Sequence, residues 1–208
     1  ATCAAIGHGA LMGARGNSGV IISQILRGLS GSLRDAGDTA ATTADEFAAA
    51  LQAAADGAYS AVLTPIEGTI LTVVREAAAA AKATAGGNGS TELIDVVRAA
   101  RDAGYDALAN TPELLPVLKE AGVVDAGGAG FVLLLDAVAH VLADDPLPEP
   151  DESIVGVAAE PVASTTDTAS DGTRYEVMFL CKLADERIED FKHRWGDIGD
   201  SIVVVGGD

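Results

Sequence analysis

A glycine-rich turn near the start of the chain has residue types that suit anion binding. It reads Gly13-Ala14-Arg15-Gly16-Asn17-Ser18-Gly19 and precedes an apolar run with helical spacing. The sequence therefore predicts a helix whose N-cap is Asn17 or Ser18. Free amides at a helix start and the positive end of the helix dipole attract anions, and glycine lets an anion approach the backbone. A phosphate-binding turn and an ordinary helix–helix corner both fit the pattern, which matches neither a P-loop nor a dinucleotide fingerprint.

Two further turns share this character. Glu67-Gly68-Thr69 falls in the first turn of a predicted helix and offers a hydroxyl and free amides. Asp125-Ala126-Gly127-Gly128-Ala129-Gly130 opens another helix, with Asp125 as the N-cap. Each glycine weakens a helix by up to about 1 kcal/mol, so the glycines of this third turn indicate that something approaches its backbone closely. Either a ligand or a tightly crossing helix satisfies that requirement.

Composition limits the classes of partner. The chain has 208 residues, with 13 Lys plus Arg against 31 Asp plus Glu and a net charge of -18. This acidity argues against nucleic acid and anionic lipid as partners. Apolar residues make up 49% of the chain and aromatic residues only 4%. Because the apolar set is rich in alanine, the best helix former, we expect a mainly helical fold.

The sequence gives no sign of export or membrane insertion. The most apolar stretch, residues 131–143, contains Asp136 and His140, and no span reaches the roughly 18 apolar residues of a membrane helix. No signal-peptide pattern is visible, and Cys3 and Cys181 form no metal-binding spacing. We therefore expect a cytoplasmic protein that is not inserted in a membrane.

Capping signals and apolar periodicity predict an antiparallel helical bundle over residues 1–143. Thr43 and Glu46 form one capping box, and Thr64 and Glu67 form a second, with Pro65 as the first helical residue. The remaining boundaries are an end near Gly86, a start at Ser90 or Thr91, a short helix from Thr111-Pro112 to Gly122, and a last helix after Asp125. Short connections favour antiparallel neighbours.

Two other zones follow the bundle. Residues 144–172 hold four of the seven prolines and no Lys or Arg, which is typical of an acidic, extended linker. Residues 173–208 have a strand–helix–strand pattern, which predicts the beginning of a small α/β domain. Its predicted elements are Tyr175–Leu180, Asp185–Trp195 and Ser201–Val205.

Three segments resemble, in order, the motifs of a known family, and they are Leu11–Ile21, Pro65–Val73 and Leu118–Gly128. The family is the DAK2 domain, the nucleotide-binding domain of dihydroxyacetone kinases, and the variant most similar to this chain is the ATP-binding subunit of bacterial fatty acid kinase. Residues 174–179 and 199–204 look like the start of that subunit's middle domain. The resemblance therefore covers nearly all of the chain outside the linker.

The resemblance implies an α-helical barrel of antiparallel helices that binds ATP or ADP with Mg²⁺ at one end. It also implies that the nucleotide contacts come from the three helix starts, namely Gly16, Asn17, Ser18, Gly68, Thr69, Ile70, Asp125 and Gly127. Within this set the first turn would meet the phosphates, and Ile70 would meet the adenine.

The chain departs from the family at the metal site. The family holds Mg²⁺ with aspartates of an Asp-Gly-Asp-Thr-Gly loop upstream of the first motif, and residues 1–10 contain no such loop. Magnesium needs carboxylate oxygens, and it neutralises phosphate charge during transfer. Asp125 alone cannot replace a cluster. We therefore expect no metal ligands in this chain and little or no phosphotransfer by it, and the sequence assigns no side chain a catalytic role.

Three functions remain open at this stage. The first, implied by the resemblance, is phosphorylation of a fatty acid held by a separate fatty-acid-binding partner protein, giving acyl phosphate for phospholipid synthesis. The second keeps ATP but changes the substrate to dihydroxyacetone or another triose. The third is a non-catalytic nucleotide-binding scaffold. Subunits of this family are commonly dimeric, so a homodimer is a further expectation.

Overall fold

The computed structural model describes residues 2–37, 41–86, 91–149, 177–199 and 201–206. Its first part is built from α-helices, as the alanine-rich composition predicts. They are α1 (Thr2–Gly13), α2 (Gly16–Asp35), α3 (Ala44–Ala61), α4 (Ile70–Ala85), α5 (Leu93–Leu114), α6 (Pro116–Ala121) and α7 (Ala126–Ala143). After the linker, a 3₁₀ turn (Asp185–Arg187) continues into α8 (Ile188–Gly196). The mainly helical fold class is confirmed.

Helices α2 and α3 run antiparallel with their backbones in close contact. A Cβ on Gly28 would lie 2.4 Å from the carbonyl oxygen of Ala53, and a Cβ on Gly57 would lie 3.2 Å from that of Gln24. Positions later in α2 therefore meet positions earlier in α3. Gly28 allows this approach because any larger residue would place its Cβ inside the neighbouring backbone.

Helices α4, α5 and α7 alternate in direction in the same way. Gly68, before α4, lies against Leu114 at the end of α5, while Gly104 in the middle of α5 lies near Ala77 of α4 and Val132 of α7. Asp125, before α7, donates its amide to Thr111 near the end of α5. The five longest helices, α2, α3, α4, α5 and α7, alternate in direction, so the N-termini of α2, α4 and α7 lie at one end of the bundle.

The core has small side chains on both sides of most contacts. Many of its fully or nearly fully buried residues are alanines, including Ala50, Ala54, Ala58, Ala77, Ala81, Ala100 and Ala139. Leu51, Val73, Val96 and Leu135 fill the space between them. Alanine allows neighbouring helix axes to lie close together, so the bundle is held by many short contacts instead of a few large side chains.

Two of the predicted helix starts are correct, and in each the N-cap residue bonds to a residue three positions later. Thr43 and Glu46 form both bonds of the predicted capping box, at 2.8 and 3.2 Å. Asp125 caps α7 by accepting the Gly128 amide at 2.6 Å. Helix α4 ends at Ala85 and α6 at Ala121, and the glycines predicted to close them, Gly86 and Gly122, are their C-caps.

The predicted capping box at Thr64 and Glu67 is wrong. Helix α4 begins at Ile70, and its N-cap is Thr69. Glu67 does not bond back to Thr64, because its carboxylate instead accepts hydrogen bonds from side chains of α3 and α4, described below. The chain turns at Gly68 with φ +82°, a conformation that favours glycine.

The predicted break at Thr111-Pro112 is also wrong, since α5 continues to Leu114. Pro112 has no N–H for the Leu108 carbonyl, but the Thr111 hydroxyl donates to that oxygen at 2.7 Å. This bond allows the helix to pass through the proline. At its other end, α5 has Glu92 as N-cap, while the Thr91 hydroxyl donates to the Thr84 carbonyl, and Ser90 lies outside the described residues.

Neither Asn17 nor Ser18 is the N-cap of α2. That position is Arg15, and Gly16 follows with φ +63° as the first helical residue. The Arg15 guanidinium donates to the carbonyls of Met12 and Ala14 at the end of α1. Helix α2 therefore begins two or three residues earlier than predicted, and Asn17 and Ser18 lie in its first turn.

Helix α7 is more apolar than the sequence analysis recognised. With 18 residues and a mean hydropathy of 1.8, it is long and apolar enough to cross a membrane. One such helix is weak support for a span, because core helices pass the same test. Here Phe131, Val132 and Leu135 are buried among α4 and α5. The absence of membrane insertion stays a prediction.

The C-terminal part agrees only partly with the predicted strand–helix–strand pattern. The middle element is confirmed as the 3₁₀ turn and α8. Residues 177–180 and 201–206 form no regular strand, and the latter contribute one antiparallel bridge between Val203 and Val62. Tyr175 and most of the linker lie outside the described residues, so the division at 144–172 and the α/β domain stay predictions.

Asp145 joins the end of α7 to α5. Its carboxylate accepts hydrogen bonds from Arg98 at 2.5 and 3.0 Å and from Arg101 at 2.9 Å. The hydrogen bond from Arg98, together with those from Arg101 and both positive charges, lowers the pKa of Asp145 to about 2. The carboxylate is thus ionised at neutral pH.

We predict opposite effects of alanine at two glycines of α2. Gly28→Ala should lower the free energy of unfolding by about 1–3 kcal/mol or more, because the new Cβ meets backbone. Gly31→Ala should raise it by about 0.5–1 kcal/mol, because nothing lies within 4 Å of that position. Chemical denaturation measures both, and equal effects would contradict the close α2–α3 crossing.

We also predict a pH-dependent effect of Asp145→Asn. An unfolded carboxyl titrates near its ordinary value of 3.8, so the folded state gains stability above that pH and loses it as the pH falls toward 2. The variant should unfold more readily than the wild type at pH 7, with a difference that shrinks below about pH 5. Asp144→Asn, which removes a neighbouring charge, is the control, and a pH-independent difference would contradict the assignment.

Candidate functional site

The three glycine turns lie at one end of the bundle, which we call the rim. The rim consists of residues 16–18, 67–70 and 125–128, which precede or begin α2, α4 and α7. The rim follows from the alternating helix directions, and α2 and α7 also contact each other. Three positive helix ends therefore point toward the same side of the molecule.

The second and third turns touch directly. A Cβ on Gly127 would lie 3.3 Å from the Cβ of Ile70. Both turns also adjoin the end of α5, where Gly68 meets Leu114 and Leu115 and where Thr111 accepts the Asp125 amide at 3.1 Å. The last turn of α5 thus fixes the spacing of these two turns.

The first turn is joined to the loop before the second turn through a later part of the chain. The side-chain amide of Asn17 donates to the Ser201 carbonyl at 2.7 Å. The next residue, Ile202, accepts the backbone amide of Leu63 at 3.0 Å. The first turn therefore lies near the end of α3, on the approach to Glu67.

A polar network fixes the second turn. The Glu67 carboxylate accepts hydrogen bonds from Thr72 at 2.7 Å, Arg75 at 2.7 Å and Tyr59 at 3.1 Å. The Thr72 hydroxyl in turn accepts the buried Gly68 amide at 2.8 Å. The network thereby holds the backbone of Gly68 in its left-handed conformation.

The network also sets the protonation of its members. Burial acts to raise the pKa of Glu67, but the hydrogen bonds from Thr72, Arg75 and Tyr59 outweigh it and lower that pKa. Burial and the hydrogen bond to Glu67 raise the pKa of Tyr59 to about 12. Glu67 is therefore an ionised acceptor and Tyr59 a protonated donor at neutral pH. Sequence analysis missed Tyr59, Thr72 and Arg75, whose spacing carries no recognisable signal.

A tightly crossing helix explains two glycines of the third turn. A Cβ on Gly128 would lie 2.8 Å from Val73 and 3.2 Å from Leu108, and Gly127 lies against Ile70. Of the two alternatives that the sequence left open, helix crossing therefore accounts for both residues. Gly130 has nothing within 4 Å, so packing gives no reason for that glycine.

The predicted residues differ in accessibility. Asn17 and Ser18 are exposed, and Thr69 and Asp125 are partly exposed. Ile70 is 3% exposed, so an adenine contact by this side chain would require its packing on Gly127 to open. The Thr69 and Asp125 oxygens already accept the amides of Leu71 and Gly128.

Two surface grooves of the described residues lie away from the rim. One of about 520 Å³ lies between α2 and α3 and is lined by Gln24, Arg27, Gly28, Gly31, Ser32, Asp35, Ala53 and Gly57. Another of about 390 Å³ lies at the opposite end, beside Thr43 and Thr91. Neither includes a predicted site residue, so the grooves give the predicted site no support.

Metal ligands are not gathered anywhere in the part of the chain that the structure describes. Within residues 2–37, 41–86, 91–149, 177–199 and 201–206, no group of three or more His, Cys, Asp or Glu side chains is placed to hold a metal ion. The two carboxylates of the rim already accept hydrogen bonds within the protein, Glu67 in the polar network and Asp125 as the N-cap of α7.

Comparison with known proteins decides the family. The DAK2 domain matches residues 1–140. The chain belongs to the DAK2 domain family. This family is kinase-related and includes the nucleotide-binding subunit of dihydroxyacetone kinases. All three turns of the rim lie within the residues that match the DAK2 domain.

Relatives of this DAK2 domain are longer proteins. Protein YloV of Bacillus subtilis is 46% identical over 145 residues, which are 70% of this chain and 25% of that protein. An uncharacterized protein of Staphylococcus epidermidis is 34% identical over 216 positions, covering 96% of this chain and 37% of that protein. The chain thus spans between about a quarter and about two fifths of the length of these relatives.

We predict that Thr72→Val destabilises the DAK2 domain by about 1–3 kcal/mol, because it leaves the buried Gly68 amide without its acceptor. Thr72→Ser keeps the hydroxyl and should lose much less. Thermal or denaturant unfolding of the two variants checks this. A valine variant as stable as the serine variant would show that the hydroxyl does not hold the second turn.

Proposed function

We propose that this DAK2 domain binds the phosphate groups of ATP or ADP at the rim. The observation that carries the proposal is the gathering of the N-termini of α2, α4 and α7 at one end of the bundle in a member of a kinase-related family. Each N-terminus offers backbone N–H groups and a partial positive charge, and three of them together suit a chain of phosphates.

The first turn is the best phosphate ligand of the three. No side chain of the described residues caps α2, and the backbone of Gly16 is in the left-handed region. Asn17 and Ser18 are exposed beside these amides. In α4 and α7, by contrast, Thr69 and Asp125 already cap the first turn.

Asp125 suits a different part of the ligand. A carboxylate repels phosphate, but it accepts hydrogen bonds from amino and hydroxyl groups. We therefore assign Asp125 to the nucleoside side of the site and Asn17 and Ser18 to the phosphate side. Gly127 serves this arrangement indirectly, since it lets α7 lie against Ile70.

The donor set does not fit the Mg²⁺ that the nucleotide carries in this family. Magnesium takes oxygen ligands, usually including carboxylates, and the described residues gather no such cluster. We propose no transfer step for this chain, and we expect it to bind nucleotide without measurable phosphotransfer of its own.

For the complete protein we propose phosphorylation of a fatty acid carboxylate presented by a separate fatty-acid-binding protein, in the cytoplasm. This proposal rests on the motif resemblance, in which the Met-Gly-Ala-Arg-Gly-Asn-Ser-Gly form matches the fatty acid kinase type. A triose such as dihydroxyacetone is the alternative substrate. The lack of a carboxylate cluster among the described residues favours, as a second candidate, a nucleotide-binding scaffold.

Ser18→Asp tests the proposed site. An added carboxylate in the first turn of α2 should raise stability by about 0.3–1 kcal/mol through the helix dipole. The same charge should lower ATP affinity roughly tenfold or more by repelling the phosphates. Isothermal titration with ATP, together with denaturation, measures the two effects, and their opposite signs rule out unfolding as the cause of weaker binding.

Ser32→Asp is the matched control on the same helix. Ser32 lies in the groove between α2 and α3, far from the rim. This variant should bind ATP like the wild type. If Ser32→Asp weakens binding and Ser18→Asp does not, the nucleotide lies in that groove and the proposed site is wrong.

A further inference from the structure

A short segment near the end of the described residues contacts the first turn of the rim and the loop after α3. We call residues 201–206 the strap. The Ser201 carbonyl accepts a hydrogen bond from the side-chain amide of Asn17 at 2.7 Å. The Gly206 carbonyl accepts one from the side chain of Arg27, which lies further along α2. The strap thus contacts the helix whose first turn we propose as the phosphate ligand.

Backbone hydrogen bonds attach the strap to the loop after α3. Val203 forms an antiparallel bridge with Val62. On either side of this pair, Ile202 accepts the Leu63 amide and Val204 donates to the Ala61 carbonyl, both at 3.0 Å. This pairing has the geometry of strand addition, in which main-chain bonds supply the affinity.

Helix α8, which precedes the strap in the chain, lies against the same loop. A Cβ on Gly196, at the end of α8, would lie 3.6 Å from the Leu63 side chain. The preceding residue is Trp195, the only tryptophan of the chain, which packs with Phe179 and Phe191. The position of this segment can therefore be followed by tryptophan fluorescence.

We propose that the strap is an autoinhibitory contact that competes with nucleotide for the first turn. The proposal rests on the nucleotide site proposed above. In the docked strap, the carbonyl oxygen of Ser201 takes a donor hydrogen of Asn17. A phosphate oxygen that took the same hydrogen would lie against that carbonyl, and two acceptors repel each other, so the strap must release this hydrogen before a phosphate accepts it.

The fraction of molecules with an undocked strap sets how much the strap lowers the apparent affinity for nucleotide. A ligand that needs the undocked state binds with its intrinsic affinity reduced by the fraction of molecules in that state. Removing one strap hydrogen bond should raise this fraction, and with it the apparent affinity, by roughly threefold to tenfold. By linkage, nucleotide weakens strap docking by the same factor.

Val204→Pro tests the contact on the 208-residue chain. Proline removes the N–H that bonds to the Ala61 carbonyl. Val205→Pro is the matched control, because the Val205 amide takes no part in the hydrogen bonds of the described strap. Isothermal titration with ATP should give roughly threefold to tenfold tighter binding for Val204→Pro than for the control.

A second measurement uses the unchanged protein. Addition of ATP should speed hydrogen exchange at the Leu63 and Val204 amides and alter Trp195 fluorescence. Circular dichroism shows whether the helical bundle of each variant is intact.

The outcomes separate the two proposals. Tighter binding by Val204→Pro with faster exchange in the wild type supports the strap. Equal ATP affinity of Val204→Pro and Val205→Pro, or unchanged exchange with ATP bound, overturns the strap and leaves the nucleotide site standing. If neither variant nor the wild type binds ATP, both proposals fail.

Discussion

Close approach of antiparallel helix backbones is the constraint on which this structure depends. A Cβ on Gly28 would lie only 2.4 Å from the backbone of α3, and a Cβ on Gly57 of α3 would lie 3.2 Å from the backbone of α2. Alanines fill most of the remaining buried positions. With so little side-chain volume between them, the helices pack as direct neighbours, and short connections make their directions alternate.

The rim is a consequence of that alternation. Helices α2, α4 and α7 start at the same end of the bundle, so the backbone amides of three helix starts are gathered there without any dedicated binding side chain. The polar network around Glu67 fixes one of these starts. The Thr111 hydroxyl helps to fix another, because it accepts the Asp125 amide while it donates to the Leu108 carbonyl. Side chains here mostly hold the backbone in place, and the backbone supplies the proposed ligand groups.

Local patterns could be predicted from the sequence, and long-range partners could not. Asp125 and the Thr43–Glu46 box were predicted correctly because cap and partner lie within one helical turn. Thr64 and Glu67 have the same capping-box pattern, but Glu67 instead accepts hydrogen bonds from Tyr59 of α3 and Arg75 of α4. The sequence spacing of these residues gives no sign of such contacts. The sequence left either a ligand or a tightly crossing helix as the reason for the glycines of the third turn. The position of α4 against Gly127 and Gly128 favours helix crossing for those two residues. The strap was not predictable, because it joins residues about 140 to 185 positions apart.

The central claim is that the amides at the helix starts of the rim hold the phosphates of a nucleotide. Backbone amide resonances, followed by nuclear magnetic resonance during titration with ATP, test it most directly. The account predicts the largest shifts at Gly16, Asn17 and Ser18, with smaller ones at Gly68 and Thr69. Shifts confined to the groove between α2 and α3, or no shifts at ATP concentrations well above those in cells, would contradict it.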